Sequence, residues 1–160
     1  MKELDELDKD ILFNLIEDAK IPHRELAKKL KVHTNTLMQR IKKMERGGVI
    51  KKYMAAADYK KLGYDLHVVI MVRVNKGRVG DVPQLKELWE TPEVQAVYAC
   101  TGDYDVIVVA YVKDRDGLSA LLRRIEDNKW VYRTNTHLVL YAYKTPDEYN
   151  PLEKEKKKKK

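Results

Sequence analysis

The stretch that most constrains the fold is residues 24–50, whose apolar positions predict two short helices joined by a tight turn. Apolar side chains recur every three or four residues, so each helix presents one face that can pack against the other. They are Leu26, Ala27 and Leu30 on the first helix and Leu37, Ile41 and Met44 on the second. The pattern predicts a helix-turn-helix, which is a motif typical of DNA-binding proteins.

Boundary signals predict a third helix before this motif and place the helix ends. Residues 8–19 form an amphipathic segment, and Asp8 is predicted to cap its first turn. The other boundary residues are Pro22 at the start of the second helix, His33 or Thr34 at the start of the third, and Gly47-Gly48 at its end. Three helices of this length can form a small trihelical core.

The last of these helices is predicted to turn a polar and basic face outward. Amides and hydroxyls can hydrogen-bond the edges of bases, while lysine and arginine neutralise phosphates. The candidates for base or groove contacts are Thr34, Asn35, Thr36, Gln39 and Arg40. The candidates for phosphate contacts are Lys42, Lys43, Arg46 and Lys51.

Positive charge is concentrated on the same part of the chain. The formal net charge is +7, but residues 20–52 alone carry 11 basic and 2 acidic side chains. Residues 1–19 have a net charge of −5, and residues 53–150 a net charge of −1. A positive field confined to one predicted domain indicates an anionic partner, and double-stranded DNA fits the motif.

From residue 64 the pattern changes to strands rich in valine and isoleucine that alternate with helices. Strands are predicted at 66–74, 94–100, 105–112 and 131–143, with helices at 79–89 and after Asp114 or Asp116. The order β, α, β, β, α, β predicts a ferredoxin-like domain, which is an antiparallel sheet with both helices on one face.

The predicted fold class is therefore α+β. The predicted regions are a winged helix-turn-helix domain at 1–52 that ends in a strand near 49–53, a linker at 53–63, the ferredoxin-like domain at 64–145 and a disordered basic tail at 146–160. The tail carries a run of lysines that could at most make unspecific phosphate contacts.

One face of the predicted sheet has no helices to cover it. The strands are apolar at nearly every position instead of at alternate ones, so the uncovered face needs a partner. The simplest partner is the same sheet of a second copy, which gives a two-fold homodimer. Such a dimer would hold two recognition helices at the spacing of successive turns of B-DNA.

Composition argues against several other classes of protein. Cys100 is the single cysteine, so an internal disulfide and a CxxC metal site are both excluded. Apolar runs such as residues 68–72 are far too short to cross a bilayer, and the N-terminal residues lack the apolar core of a signal peptide. We therefore expect a cytoplasmic protein without a cofactor.

Both halves of the chain resemble the Lrp/AsnC family of prokaryotic transcription regulators. The N-terminal match comprises Leu4, Asp5, Asp8, Ile11, Leu12, Leu15, residues 18–20 and 25–27, Arg40, Ile41, Met44, Glu45 and residues 48–50. The C-terminal match comprises residues 62–64, the loop 101–105, Thr134 and Thr136. Although no single motif is diagnostic, both halves in this order make a specific signal.

The resemblance implies a regulator and not an enzyme. It implies an N-terminal DNA-binding domain and a C-terminal domain that dimerises, can assemble further into an octamer, and in many members binds an amino acid as effector. The positions carried over as effector contacts are Gly102, Asp103, Tyr104 and Asp105, with Thr134 and Thr136 as weaker candidates. Carboxylates could hold the ammonium group of an amino acid, and loop N–H groups its carboxylate.

The turn of the motif departs from the family pattern at two positions. Lys31 stands where the family usually has glycine, and His33 stands where it usually has serine. If residue 31 needs a positive φ, lysine there costs on the order of 1 kcal/mol. The motif should survive that cost.

Two other functions stay open at this point. A chromatin-like protein would bind DNA with little sequence preference, and the lysine tail favours this alternative. Sirohaem decarboxylases resemble the family in both domains, but here the recognition helix is intact. The second domain has only His67 and His137, without a base-plus-nucleophile pair.

Overall fold

The structure, a computed structural model, describes residues 4–75 and 85–153, except the side chains of Glu87 and Trp89. The described residues divide into two compact units. The first, which we call the helical unit, contains residues 4–56 and 144–153, and the second, the sheet unit, contains residues 57–75 and 85–143. The helical unit is therefore built from two segments that lie far apart in the sequence.

Three helices form the helical unit, as the sequence predicts. They are α1 (Glu6–Glu17), α2 (His23–Lys29) and α3 (Thr34–Arg46). Their apolar stripes meet in one core, whose buried members are Ile11, Leu15, Leu26, Ala27, Leu37, Ile41 and Met44. Burial of these side chains removes apolar surface from water and is the main stabilising contribution to the unit.

The start of α1 differs from the prediction. Asp5, not Asp8, is the N-cap, and its carboxylate accepts a hydrogen bond from the backbone N–H of Asp8 at 2.8 Å. The Asp8 side chain in turn accepts from the backbone N–H of Asp5 at 3.4 Å. Asp8 is thus the third helical residue of a capping box, so it does take part in capping the helix, but from inside the first turn.

The turn between α2 and α3 has the backbone that the sequence predicts. Pro22 precedes α2 as its N-cap residue, and Lys31 has a φ of +56°. His33 is the N-cap of α3, where its Nδ1 accepts a hydrogen bond from the N–H of Asn35 at 3.3 Å. After α3, Gly48 adopts a φ of +70°, a conformation that ends a helix without strain only at glycine.

Lys31→Gly is expected to stabilise the helical unit. Lysine in the left-handed region costs roughly 1–2 kcal/mol, whereas glycine adds chain entropy to the unfolded state worth about 0.4–1 kcal/mol. The net gain should be about 0.5–1 kcal/mol, measured by urea unfolding followed by circular dichroism. Lys31→Ala is the control, because it removes the ammonium group and keeps the strained Cβ. An equal gain in both variants would assign the effect to charge.

The strand predicted at 49–53 is not formed. The N–H groups of Val49 and Ile50 both donate to the carbonyl of Met44, at 2.9 and 3.2 Å, and so complete the end of α3. Residues 51–58 are exposed, and no other described segment of this chain pairs with them. A strand needs a neighbour for its backbone groups, and among the described residues this segment has none.

The sheet unit has the predicted βαββαβ order. Its elements are β1 (Leu66–Val74), α4 (Lys86–Trp89), β2 (Val94–Ala99), β3 (Val106–Val112), α5 (Arg115–Glu126) and β4 (Val131–Leu138). The four strands form one antiparallel sheet in the order β2-β3-β1-β4. This is the ferredoxin-like arrangement, and the fold class is α+β as predicted.

Two element boundaries need comment. Residues 79–84 of the predicted first helix lie outside the described residues, and the described part forms only α4. The last strand ends at Leu138 instead of residue 143. Leu138 lies opposite Val68, and the N–H of Val139 still donates to the carbonyl of His67 at 2.9 Å. Beyond that point only Leu66, the first residue of β1, remains.

The two faces of the sheet differ in burial. Alternate residues of the central strands are fully buried beneath the helices, as shown by Val68, Ile70, Val72, Val106, Val108, Ala110 and Val112. The residues between them point to the other face, where Val69, Met71, Ile107 and Val109 are only half-buried. The uncovered apolar face predicted from the sequence is therefore present on this sheet.

After the sheet unit the chain joins the helical unit again. Residues 144–153, which we call the strap, contain a short 3-10 helix (Pro146–Glu148). Asn150 is buried within the helical unit. The prediction of a disordered tail is therefore wrong for residues 146–153, because a long-range contact that the local composition does not reveal holds them in place. Residues 154–160 lie outside the described residues.

Candidate nucleic-acid interface

The polar residues that the sequence assigned to DNA lie together on the outward side of α3. Leu37, Ile41 and Met44 point into the core, so the positions between them face solvent. The exposed side chains are Asn35, Thr36, Gln39, Lys42, Lys43 and Arg46, and Thr34 is half-buried at the first turn. Met38 is also exposed, which gives the face an apolar element that could contact a thymine methyl group.

The cations of this surface form no ion pairs in the part of the chain that the structure describes. They are Lys42, Lys43, Arg46 and Lys51. Their charges are therefore available to an external anion. A surface of this kind suits the phosphates of a duplex, which carry one negative charge per about 1.7 Å of helix axis.

Arg40 is the exception among the predicted base contacts. Its Nη1 donates to Asp8 Oδ1 at 2.9 Å and also to Asp5 Oδ2. Asp8 is buried, and Arg40 itself is half-buried. The structure therefore places Arg40 between α3 and the first turn of α1, instead of on the free surface that the sequence predicted for it.

Electrostatics favour the charged forms of Asp5 and Arg40. The hydrogen bond from Arg40 keeps the pKa of the Asp5 carboxyl below its usual range, with a smaller contribution from the backbone N–H of Asp8. The two carboxylates in turn raise the pKa of Arg40. Arg40 thus fixes α3 against α1, and we classify it as a positioning residue for the recognition helix.

Tyr53 holds the one acidic side chain of α3. Its hydroxyl donates to Glu45 Oε1 at 2.9 Å. Partial burial, and then the hydrogen bond to the Glu45 carboxylate, raises the pKa of Tyr53 to about 12, so the phenol stays protonated as a donor. Sequence reasoning missed this contact, because nothing in the local pattern links a residue after the helix to Glu45.

The loop residues among the effector candidates lie at one end of the sheet. Gly102 has a φ of +120°, which favours glycine at this loop position. Asp105 Oδ2 accepts from the N–H of Val74 at 2.9 Å, so this carboxylate fixes the loop to the end of β1. Tyr104 Oη accepts from Asn135 Nδ2 at 3.3 Å, which brings the loop beside β4. Asp103 is the exposed carboxylate of the loop.

The two threonines of β4 differ in their distance along the strand from this loop. Thr134 lies opposite Val72 and Thr136 opposite Ile70 on β1. The hydroxyl of Thr134 donates to Glu126 Oε1 at 2.9 Å, at the end of α5. The structure therefore brings Thr134 to the same end of β1 as the loop, but its hydroxyl already has a partner.

The histidines of the sheet unit do not form a reactive pair. His67 stacks on Tyr111 with ring centroids 4.3 Å apart, and burial lowers its pKa. His137 lies on β4 opposite Val69 and is exposed.

Within residues 4–75 and 85–153, no cluster of three His, Cys, Asp or Glu side chains could hold a metal ion. Over the same ranges, no helix has the length and apolar content needed to cross a membrane.

Family models match both units. The model described as Lrp/AsnC ligand binding domain matches residues 67–149, and the model described as winged helix-turn-helix DNA-binding matches residues 4–51. Together they cover most of the chain. The first match ends after α3, and the second begins within β1.

Archaeal relatives match over almost their full length. An uncharacterised HTH-type transcriptional regulator of Pyrococcus abyssi is 36% identical over 141 residues, which cover 88% of this chain and 95% of that protein. The HTH-type transcriptional regulator FL11 of Pyrococcus horikoshii is 37% identical over 145 residues, which cover 91% of this chain and 95% of that protein.

Solved structures share the fold. The AsnC protein of E. coli has a TM-score of 0.80 and 29% identity, covering 89% of this chain and 96% of that one. A transcriptional regulator of Neisseria meningitidis, solved as an L-Met complex, has a TM-score of 0.86 and 24% identity, covering 95% and 99%. Family models, relatives and site geometry agree: the chain is a DNA-binding transcription regulator, not an enzyme, and belongs to the Lrp/AsnC family.

Proposed function

We propose that this regulator binds preferred DNA sequences through α3, which enters the major groove as a recognition helix. The outward face of α3 carries the proposal, because it combines side chains able to read bases with cations that form no ion pair in the described ranges. Thr34, Asn35, Thr36 and Gln39 are the proposed base or groove contacts, and Lys42, Lys43, Arg46 and Lys51 the proposed phosphate contacts. Arg40 acts indirectly, by holding α3 against α1.

Two substitutions on α3 should separate base reading from phosphate binding. Gln39→Ala should cost about 1–3 kcal/mol on the preferred sequence and little on a random duplex, since it removes an amide that pairs with a base edge. Lys43→Ala should weaken binding to both duplexes and reduce the salt slope by about one unit. Fluorescence anisotropy titrations with both duplexes at several salt concentrations measure these effects.

Both side chains are exposed on the same helix, so neither substitution should affect folding, and each variant is the control for the other. If Gln39→Ala weakens both duplexes equally, Gln39 does not read bases. If Lys43→Ala leaves the salt slope unchanged, its ammonium group does not contact a phosphate.

The proposed binding form is a homodimer whose two sheets pack through their uncovered faces. This face is apolar at the middle of the two central strands, with Val69 and Met71 on β1 and Ile107 and Val109 on β3. Large apolar surfaces on soluble proteins mark interfaces, and an identical sheet is self-complementary about a two-fold axis. Assembly of dimers into an octamer is the further step that the family resemblance suggests.

An amino acid is the proposed effector. The Neisseria meningitidis protein was solved with L-Met, and the matching family model is named for ligand binding. In this chain the proposed contacts are Gly102, Asp103, Tyr104 and Asp105, with Thr134 and Thr136 nearby in β4. Repeating the DNA titrations with each of the common amino acids tests this part. If none changes the DNA affinity, the chain works without such an effector.

A chromatin-like role with little sequence preference is the alternative that the same titrations decide. Selection of bound fragments from genomic DNA would supply the preferred duplex. A regulator should bind it at least about a thousandfold more tightly than a random one at physiological salt. Equal affinity for both duplexes would favour the chromatin-like role.

Action on DNA would place the protein in the cytoplasm.

A further inference from the structure

The chain turns back toward α3 directly after the helix ends. Gly48, with its positive φ, lies at this reversal, and its N–H donates to the carbonyl of Glu45 at 3.0 Å. Val49 and Ile50 then pack against the core of the helical unit, which fixes the path of the residues that follow. Tyr53 thereby comes to the last turn of α3, where its hydroxyl donates to Glu45 Oε1 at 2.9 Å.

Glu45 has another candidate partner, which it does not bind. Residues three or four apart on a helix are neighbours on its surface, and Lys42 is the only basic residue of α3 at such a distance from Glu45. Both side chains are exposed, yet they form no ion pair with each other. The carboxylate binds the hydroxyl of Tyr53 instead.

The hydroxyl of Tyr53 is well suited to hold this carboxylate. Partial burial, and then the hydrogen bond to Glu45, raises the pKa of Tyr53 to about 12, so the phenol is a donor at neutral pH. A hydrogen bond to an ionised acceptor is stronger than one between neutral groups, whereas water screens an exposed ion pair on a helix. While Tyr53 holds Glu45, the charge of Lys42 is not neutralised.

We propose that Tyr53 is a positioning residue for DNA binding, whose hydroxyl holds the Glu45 carboxylate and so keeps the Lys42 ammonium group free for a backbone phosphate. Without the hydroxyl, Glu45 is released and pairs with Lys42, and this pair must break before a phosphate binds. The inference rests on the phosphate contact proposed above for Lys42. It requires neither a preferred DNA sequence nor a dimer.

The first test removes the hydroxyl alone. Tyr53→Phe should weaken binding to a random duplex roughly two- to fivefold at about 50 mM salt and reduce the salt slope by up to about one unit, because one cation is partly neutralised. Fluorescence anisotropy titrations from about 50 to 200 mM salt measure both quantities. Unchanged affinity and slope in Tyr53→Phe would overturn the proposal.

Tyr149→Phe is the matched control for this substitution. Tyr149 is another exposed tyrosine of the helical unit, and its hydroxyl makes no hydrogen bond within the described ranges. The control should bind DNA as the wild-type chain does. An equal loss of affinity in both variants would mean that removal of any exposed hydroxyl from this unit has the effect, which contradicts a specific role of Tyr53.

The second test concerns Glu45. Tyr53→Phe is introduced into the wild-type chain and into Glu45→Gln, which keeps the size of the side chain and removes its charge, and DNA affinities are compared in a double-mutant cycle. The loss caused by Tyr53→Phe should disappear in Glu45→Gln, because an amide does not neutralise an ammonium group. A loss of folding would act equally in both backgrounds, so an equal effect rejects the role of Glu45.

The third test identifies the cation. Lys42→Gln alone should reduce the salt slope by about 0.9, and Tyr53→Phe should cause no further loss in that background. A further loss would mean that the released Glu45 repels phosphates directly, and Lys42 would then have no part in the effect.

The same titrations separate this inference from the proposed function. If Lys42→Gln reduces the salt slope and Tyr53→Phe does not, the phosphate contact of Lys42 stands and only the role of Tyr53 is rejected. If Lys42→Gln leaves the slope unchanged, the phosphate contact of Lys42 is rejected, and the inference fails with it.

Discussion

Replacing Val109 by glutamate is expected to convert the proposed dimer into a monomer. Val109 lies in the middle of the uncovered sheet face, paired with Val69 on β1 and Ala96 on β2. A carboxylate buried there without a partner costs several kcal/mol, so the dimer dissociation constant should rise by at least about a thousandfold. Sedimentation velocity at micromolar concentration measures the change. The affinity for a duplex with two half-sites should also fall, because each monomer then binds alone.

Ser119→Glu is the control for this experiment, because it adds the same charge at an exposed position of α5 in the same unit. It should leave both the sedimentation coefficient and DNA binding unchanged. A Val109→Glu protein that stays dimeric, with unchanged circular dichroism, would show that the copies pack through another surface.

Arg40→Ala is expected to have the largest effect on the stability of the helical unit. The substitution leaves the buried carboxylate of Asp8 without its cation, at 3% exposure. Loss of a hydrogen-bonded partner of a buried polar group costs roughly 1–3 kcal/mol. Because Arg40 is itself about a third exposed, solvent screening places the effect at the lower end, about 1–2 kcal/mol. Thermal unfolding followed by circular dichroism should show a Tm lower by roughly 4–8 °C per kcal/mol.

The pH dependence of stability tests whether the Asp5 carboxylate contributes to the effect of Arg40→Ala. The pKa of Asp5 lies below its ordinary value of 3.8 in the folded chain, so its contribution is present above that value and is lost as pH falls through the lower folded pKa. The difference in stability between the wild-type chain and Arg40→Ala should therefore narrow below about pH 4. Lys43→Ala is the control, and its free energy of unfolding should change by no more than about 0.5 kcal/mol. Unchanged stability in Arg40→Ala at neutral pH would mean that Arg40 is free to act as a base contact.

The sequence predicts the helices and strands well wherever local periodicity reports burial. Leu37, Ile41 and Met44 define the inner side of α3 by their helical spacing. The density of valine and isoleucine indicates β1 and β3, although these strands are apolar on both sides. The positive φ of Lys31 meets the condition that the family's usual glycine at that position of the turn raised.

The contacts that the sequence did not predict are those between residues far apart in the chain. Arginine is a residue type that can read bases, and only the fold brings Arg40 to Asp5 and Asp8. Asn150 lies among polar residues that are typical of a disordered tail, and its amide finds Phe13 and Glu17 only after folding. Local patterns report which side of an element is apolar, but they do not report which polar side chains meet.

The discontinuity of the helical unit has a consequence for how such regulators can exchange their domains in evolution. A single crossover between two related genes, placed at the linker, would join the α1–α3 region of one parent to the strap of the other. In the hybrid protein, Asn150 would meet an α1 end that can accept its hydrogen bonds only by chance. Recombination that preserves this contact therefore requires two breakpoints, one on each side of the sheet, or inheritance of the whole gene.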